Sequence, residues 1–446
     1  MFISFLVKMS DSEQTSRQVV ITGIGVLSPI GIGIDEFWKN LSEGRSGVTR
    51  CGLYPGFGAP DGVGGEVVGF TEESARKIYL KEQRKNIKAM CREIQLGVAS
   101  AGLALQHSGV SLDSINHERL GVEFGANLML SDPNILAPGC EACSEEGTTK
   151  FQFERWGQEG IPKMEPLWLL RYLPNMPACH ISISSDARGP SNSLTLDEAS
   201  GNAVLGEAMR IVLRGHADVM ITGATGTTLH PIKTLHLALW DDIARTPDAP
   251  GARCRPFDRD RSGRVVGEGA CSFIIEDRDH AERRGAKIWA RLLGTGSSCV
   301  FSPKGVAGIR VALANAMRSA LRDASLSPDK IGHVNAHGLG TKETDIEEAA
   351  AILDVFGSDL GRRVPVTAPK SFMGNSGAGC GTLELAASVV GLSRGLIPHT
   401  LNYDTPDPAC PLNIVKGQPR ETDNRIVLNI NVTRAGQASA AIVEVY

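Results

Sequence analysis

The chain has 446 residues, of which 42% are hydrophobic and 22% charged, and its formal net charge is −4. This length allows one large domain or two to three ordinary ones with a sizeable core. The absence of a long basic run argues against nucleic-acid binding, and no apolar run approaches the ~18 residues that span a membrane.

Residues 1–16 are predicted to form a flexible tail, with either Met1 or Met9 as the true start. The tail has an apolar patch, but no basic segment precedes it and no small-residue cleavage site follows it, so a secretory signal is not predicted. We therefore expect a cytoplasmic protein. Its ten cysteines are then expected to be reduced thiols rather than a disulfide framework.

The first half, residues 17–286, alternates strand and helix patterns. A β-branched run, VVITGIGV, is followed by the helical spacing of IDEFWKNL, and a long helix is predicted within IKAMCREIQLGVASAGLALQHSG. Residues 128–165 are polar and irregular and predict a large loop or insertion. Cys140 and Cys143 form a lone C-x-x-C there, and no second pair stands at a zinc-site spacing, so no metal is predicted.

The second half, residues 287–446, repeats the same plan. KIWARLLGTGSS is a predicted strand, VALANAMRSALRDA and TDIEEAAAILDVFG are predicted helices, and NRIVLNINVT with SAAIVEVY forms a predicted strand pair. Strands alternating with helices through both halves indicate a layered α/β fold, with a boundary near residue 287.

One turn stands out as a candidate site. The segment SLTLDEASGNAVLGEA predicts a tight turn that enters an amphipathic helix, and Glu198 lies where an enzyme could hold a nucleophile at the helix N-terminus. The alternative is a capping role, because an anion at a helix N-terminus is stabilised by about 0.3–1 kcal/mol.

Three ordered segments resemble the β-ketoacyl-acyl-carrier-protein synthases of fatty-acid and polyketide synthesis. They are VVITGIGVLSPIGIGIDEFWKNLSEGRSGV, CRPFDRDRSGRVVGEGACSFIIE, and the run VNAHGLGTKETDIEEAAAI with APKSFMGNSGAG and TLNYDTPDP. The resemblance spans the chain from about Val19 to Tyr446. It implies the thiolase-like fold, in which two similar halves with mixed five-stranded sheets form a five-layered αβαβα core, usually in a dimer.

The family mechanism uses a cysteine thiolate at a buried helix N-terminus, two histidines, a lysine and an oxyanion hole. The cysteine position is Glu198 here, and the second histidine position is Asn375. The first histidine is retained as His337 and the lysine as Lys370. Lys370 is expected to form a buried pair with Glu348, and the alternative is a surface lysine. The positions in the helix after His337 that also match the family are Asp345 and Glu348.

The glycine-rich gating loop of the family corresponds to NVTRAGQAS, with Thr433 at the phenylalanine position and Arg434 and Gly436 beside it. The altered positions predict a non-condensing, chain-length-factor-like subunit. The alternatives are an active 3-oxoacyl-carrier-protein synthase or malonyl-thioester decarboxylase with altered chemistry, and a non-catalytic acyl-binding protein.

The resemblance also implies the partners. They are acyl carrier protein, whose phosphopantetheine arm carries the substrate, and a second subunit, which is either another copy or an active ketosynthase. The subunits are expected to pair through the strand ADVMITGAT or a neighbouring strand. No cofactor bound to the chain itself is predicted.

Overall fold

The computed structural model describes residues 17–245, 249–302 and 306–446, so the tail predicted for residues 1–16 lies outside the described residues. The strands are β1 (Val19–Ser28), β2 (Gly31–Ile32), β3 (Val48–Arg50), β4 (Val63–Gly65), β5 (Leu120–Ala126), β6 (Ser191–Leu194), β7 (Val219–Thr227), β8 (Glu268–Asp277), β9 (Ala290–Cys299), β10 (His333–Asn335), β11 (Pro365–Thr367), β12 (Leu396–Ile397), β13 (Asn413–Ile414), β14 (Arg420–Glu421), β15 (Ile426–Val432) and β16 (Gln437–Val445).

The helices connect these strands, and short 3-10 or π-helical turns lie between several of them. The helices are α1 (Ile34–Ser42), α2 (Glu72–Ser74), α3 (Arg92–Ser108), α4 (Pro133–Ala142), α5 (Met176–Ser185), α6 (Ser200–Leu213), α7 (Pro231–Trp240), α8 (Arg278–Arg283), α9 (Ile309–Asp323), α10 (Lys342–Phe356), α11 (Ser358–Arg363), α12 (Lys370–Met373) and α13 (Cys380–Leu392).

The main sheet has twelve strands, of which ten form two five-stranded halves, while β2 pairs with β1 and β13 pairs with β11. One half has the order β6-β5-β7-β8-β1 and the other the order β9-β16-β15-β10-β11. Each half is mixed, because β5 runs parallel to β6 and β7, and β10 runs parallel to β11 and β15, while β7 with β8 and β15 with β16 are antiparallel. The halves join where β1 pairs with β9 along residues 19–21. The repeated plan predicted from the sequence is present.

Two helices lie between the sheet halves. Helix α6 contacts β5 and β7 of the first half and β9 and β16 of the second, and α13 contacts β8 and β15. Every residue of α13 is buried. A Cβ atom at Gly201 would lie 2.8 Å from the backbone nitrogen of Thr382, so the two helices approach closely only because glycine stands there. With α3 and α5 on one outer face and α9 on the other, the core has the predicted five layers.

The region 128–165 is more ordered than predicted. Residues 133–142 form α4, in which Pro133 takes the first position and the Asp132 side chain accepts a hydrogen bond from Asn134 N at 2.9 Å. An N-cap aspartate followed by proline is a helix start signal. The prediction of an irregular segment was therefore wrong for these residues.

The strand β7, which contains most of the segment ADVMITGAT predicted to pair the subunits, has no free edge. Its two neighbours are β5 and β8, so both of its hydrogen-bonding edges are occupied within the chain. The outermost strand of this half is β6, and its residues Ser191 and Asn192 are exposed. Of the two alternatives that the sequence left open, only a neighbouring strand remains.

Within the residues that the structure describes, no helix combines the length and the apolar character that crossing a membrane requires.

A buried carboxylate of β8, that of Glu276, binds three neighbouring side chains. Glu276 accepts hydrogen bonds from Thr22 of β1, from Arg284 Nε at 2.9 Å and from His280 Nδ1 at 2.7 Å. Burial acts to raise the pKa of Glu276, but the bonds from Arg284, His280 and Thr22 outweigh burial and lower the pKa to about 2. The carboxylate therefore stabilises the folded state wherever it is ionised.

We expect Glu276→Gln to lower the free energy of unfolding at pH 7 by about 3 kcal/mol, the linkage value for such a shift. A lowered folded pKa gives stability that is complete above the unfolded pKa of 4.5 and is lost as the pH falls towards 2. Urea unfolding of both proteins from pH 7 to pH 2.5 checks this. A difference between them that does not shrink below pH 4.5 would contradict it.

Candidate active site

Glu198 lies at the centre of the fold. It belongs to the 3-10 turn Asp197–Ala199, which leads directly into α6. The turn reverses the chain at Asp197, whose φ is 40°, and Glu198 is only 7% exposed. The sequence placed Glu198 at the N-terminus of a buried central helix, and the structure has it there.

Two side chains bind one oxygen of Glu198. Arg264 Nη2 donates to Glu198 Oε1 at 2.8 Å, and Asn375 Nδ2 donates to the same oxygen at 3.0 Å. Burial acts to raise the pKa of Glu198, but the Arg264 charge, a backbone N–H and the Asn375 amide hold the pKa below its ordinary value. Glu198 is therefore a carboxylate at neutral pH, while burial and the Glu198 charge raise the pKa of Asp197.

Arg264 connects Glu198 to the protein surface. Its Nη1 donates to Asp241 Oδ2 at 2.8 Å, and the other oxygen of Asp241 lies 3.5 Å from Arg434 Nη1. The series Glu198, Arg264, Asp241 and Arg434, called here the charge chain, alternates in sign. Glu198 and Arg264 are buried, whereas the Arg434 side chain at the other end of the series is 57% exposed.

Asn375 uses both ends of its amide. Besides the bond to Glu198, its Oδ1 accepts from Gly377 N at 2.7 Å and from the thiol of Cys380 at 3.4 Å. An amide cannot take up or release a proton at neutral pH. Asn375 therefore positions Glu198 and the Gly377 turn, and it is unable to act as a general acid or base.

His337 follows β10 and is neutral. Burial, with the charges of Lys370 and Arg264, holds the pKa of His337 well below its ordinary value. Its Nδ1 lies 3.5 Å from Asn431 Nδ2, and its backbone N–H donates to Glu348 Oε1 at 2.6 Å. A neutral imidazole can donate one hydrogen bond to a developing negative charge without carrying a charge itself.

A cleft of about 1010 Å³ reaches this site, but Asn375, His337 and Lys370 do not line it. Glu198 and Arg264 lie in its wall, together with Thr433 and Arg434 of the predicted gating loop. That loop is the tight turn between β15 and β16. It depends on Gly436, whose φ is 76° and whose Cβ, if present, would lie 2.4 Å from Val300 O. Gly436 shapes the turn but does not line the cleft.

The comparison with protein families shows the family of this chain. Residues 16–281 match the family "Beta-ketoacyl synthase, N-terminal domain", and residues 290–404 match "Beta-ketoacyl synthase, C-terminal domain". The chain belongs to the β-ketoacyl synthase family. It is similar to the tetracenomycin polyketide synthase ketoacyl synthase alpha subunit of Streptomyces glaucescens, with 32% identity over 97% of this chain and 98% of that protein. It is also similar to 3-oxoacyl-[acyl-carrier-protein] synthase 2 of Synechocystis sp., with 30% identity over 91% and 92%.

Solved structures of ketosynthases share the fold. The ishigamide ketosynthase/chain length factor has a TM-score of 0.81 and 29% identity, covering 97% of this chain and 100% of that chain. A type II polyketide synthase ketosynthase, solved with its acyl-carrier protein and bound to the hexaketide, has a TM-score of 0.80 and 26% identity over the same shares. The thiolase-like fold is confirmed, and the protein is a ketosynthase-family member of polyketide or fatty-acid synthesis.

Lys370 pairs differently from the prediction. Lys370 Nζ bonds Glu384 of α13, not Glu348. Glu348 is already occupied, because its two oxygens accept the backbone N–H groups of His337 and Gly338 at 2.6 and 2.8 Å. The expected pairing was wrong for this reason.

Asp345 has a similar backbone role. Its oxygens accept the N–H groups of Phe257 at 2.8 Å and Gly340 at 3.0 Å, so it ties two loops together. Neither Asp345 nor Glu348 lines the cleft. The structure thus brings Glu198 and Asn375 into direct contact. It links Lys370 to His337 through Glu384 and Asn431. Asp345 and Glu348 bind backbone N–H groups of the loop that contains His337.

Sequence reasoning missed three charged residues of this ketosynthase-family site, namely Arg264, Asp241 and Lys233. Arg264 lies inside the quoted segment SGRVVGEG, where an arginine precedes two buried valines. That signal was available, since a charge in an apolar run needs a buried partner. Asp241 and Lys233 lie on or just after α7, where the sequence offers no comparable signal.

Proposed function

We propose that this protein is a non-condensing ketosynthase-family subunit, similar to a chain-length factor, that handles acyl groups on acyl carrier protein. The observation on which this rests is the ion pair of Glu198 with Arg264 at the helix N-terminus. A carboxylate is a weak nucleophile towards thioesters, and the mixed anhydride that it would form is hydrolytically unstable. The two hydrogen bonds that one oxygen of Glu198 accepts make this carboxylate a still weaker nucleophile.

The available cysteines do not replace the missing thiol. Cys380 bonds Asn375 but is 2% exposed, and burial raises the pKa of its thiol. Among the residues that line the described cleft, none is a cysteine. A covalent acyl-enzyme would need an accessible thiolate.

Partners follow from the same interpretation. One similar structure is a ketosynthase/chain length factor, and another contains an acyl-carrier protein, which supports carrier-protein docking to this chain. We propose that the exposed edge strand β6 pairs with a second subunit, either another copy or an active ketosynthase. Static light scattering that finds only monomer at micromolar concentration would count against a homodimer. The same result after co-expression with a ketosynthase would count against both. The cytoplasmic location stays a prediction.

A second candidate, malonyl-thioester decarboxylation, is favoured by one observation. His337 is retained, neutral and linked to Lys370 through Asn431 and Glu384. Loss of carbon dioxide from a malonyl thioester leaves an enolate, which a neutral imidazole N–H can stabilise. This route needs no covalent attachment to the protein.

The test is to incubate the purified protein with hexanoyl- and malonyl-carrier protein. We expect no acyl adduct by intact-mass spectrometry and no β-ketoacyl product. A stable adduct on Cys380, or β-ketoacyl product from the wild type alone, would overturn the non-condensing proposal. Formation of acetyl-carrier protein that His337→Ala abolishes would establish the decarboxylase. Glu198→Gln is the matched control, since it keeps a side chain of the same size without the charge.

A further inference from the structure

A second cavity lies behind the cleft. Its volume is about 380 Å³, and its wall is mainly apolar, with Met129, Ile135, Leu229 and the rings of Tyr54 and Tyr172, although Arg92 and Asp132 also line it. Two residues, Leu130 and Lys233, line both this cavity and the main cleft. The side chains of Leu130 and Lys233 therefore lie between the two spaces.

That wall is a buried ion pair. Lys233 Nζ lies 3.1 Å from Glu93 Oε2 and donates to Thr227 O at 2.9 Å. The Lys233 side chain is 13% exposed and that of Glu93 is 3% exposed. The other oxygen of Glu93 accepts the N–H of Asn127 at 3.1 Å. Asn127 lines the main cleft, and Glu93 and Thr227 line the second cavity, so the pair stands between them.

We propose that the Lys233–Glu93 pair is a partition that determines which acyl groups the cleft accepts. With the pair in place, the cleft takes short acyl chains, and the apolar second cavity is closed to a longer chain. This inference rests on the proposed handling of carrier-bound acyl groups. It names Lys233 and Glu93 as specificity-determining residues, and neither touches Glu198 or Asn375 in any hydrogen bond of the structure's described residues.

The physical reason is the cost of breaking a buried pair. An alkyl chain that passed Leu130 would displace Lys233 from Glu93 or Thr227 and leave a buried charge without its partner. An apolar chain offers no compensating hydrogen bond. Without the charges, each methylene group that moves from water into the second cavity would strengthen binding about fourfold.

The experiment compares acetyl-pantetheine with decanoyl-pantetheine by isothermal titration calorimetry. The titrations are run at pH 8, because burial raises the pKa of Glu93 to about 7. The main variant is Lys233→Ala with Glu93→Gln, which opens the wall and leaves no unpaired charge. Lys233→Met with Glu93→Gln removes the two charges but keeps most of the side-chain volume, so it separates the effect of charge from the effect of size. The matched control is Lys77→Ala with Glu73→Gln, which alters an exposed pair of the same residue types.

We expect the wild type and the control to bind decanoyl-pantetheine no more tightly than acetyl-pantetheine. The alanine variant should prefer the decanoyl thioester by at least tenfold, because burying two methylene groups suffices, and the methionine variant should gain less. A crystal structure of the alanine variant should show the chain between Met129 and Ile135.

If the wild type prefers the decanoyl thioester, the proposal that the Lys233–Glu93 pair is a partition is overturned, while the proposed function stands. This result does not depend on the folding of any variant. An alanine variant that folds as the wild type does but gains nothing would also overturn it. Failure of every protein to bind either thioester would instead refute the acyl-handling function on which the partition rests.

Discussion

Replacing Arg264 with methionine is expected to lower the free energy of unfolding by about 3–5 kcal/mol, the usual cost of removing one partner of a buried ion pair. Glu198 would lose its counter-charge and keep the Asn375 amide and a backbone N–H, and Asp241 would be left with the exposed Arg434. Both carboxylates would then be desolvated without a full counter-charge. Urea unfolding at pH 7.5, followed by tryptophan fluorescence and circular dichroism, measures the effect.

A double-mutant cycle isolates the pair. Adding Glu198→Gln to Arg264→Met should recover part of the loss, because a neutral amide needs no counter-ion. The matched control is Arg363→Met, which removes an exposed pair with Asp359 and should change stability by less than about 0.5 kcal/mol. If Arg264→Met costs the same with glutamine at position 198 as with glutamate, the two side chains are not coupled as the structure indicates.

The Glu198→Cys variant is expected to form no detectable β-ketoacyl product. The new thiol would stand at the N-terminus of α6 beside Arg264, and both features favour a thiolate. Activation alone is insufficient, because Asn375 cannot replace an imidazole and the Thr433–Gln437 turn has a single glycine, Gly436, where the resemblance implies a glycine-rich loop. Losing one oxyanion donor costs about 10²–10³ in rate, so two defects leave the variant on the order of 10⁴-fold or more below a complete site.

Adding Asn375→His to Glu198→Cys should recover more product than either change alone, because the groups of such a site act as a unit. Mass-spectrometric detection of the ketoacyl product from hexanoyl- and malonyl-carrier protein is the measurement. Intact mass shows whether the introduced thiol becomes acylated in each variant. Robust product from Glu198→Cys alone would show that neither Asn375 nor the turn limits the chemistry, and the non-condensing proposal would then depend on Glu198 only.

The elements of the fold were largely predictable, because hydrophobic periodicity and turn residues are local signals. The strand pair β15 and β16 and the helices α9 and α10 overlap the predicted segments, although β16 and α10 each begin two residues before theirs. Helix α4 was missed although Asp132 and Pro133 signal its start, since the polar composition of the segment outweighed the capping pattern. The position of Glu198 at a helix N-terminus was predicted correctly, because the helix pattern begins directly after the turn that contains it.

The sequence by itself determined the layered α/β fold, the family resemblance and the identities of Glu198, His337, Lys370 and Asn375. These conclusions depend on periodicity and on motif order, which are properties of the linear chain. Only the tertiary structure decided which buried charges pair: Arg264 with Glu198, Lys370 with Glu384, and Lys233 with Glu93. The partners are separated by 66, 14 and 140 residues, and several carboxylates compete for each cation. For Lys370, Glu348 is unavailable because both of its oxygens are bound to backbone N–H groups, and that becomes known only when the sheets and helices are packed.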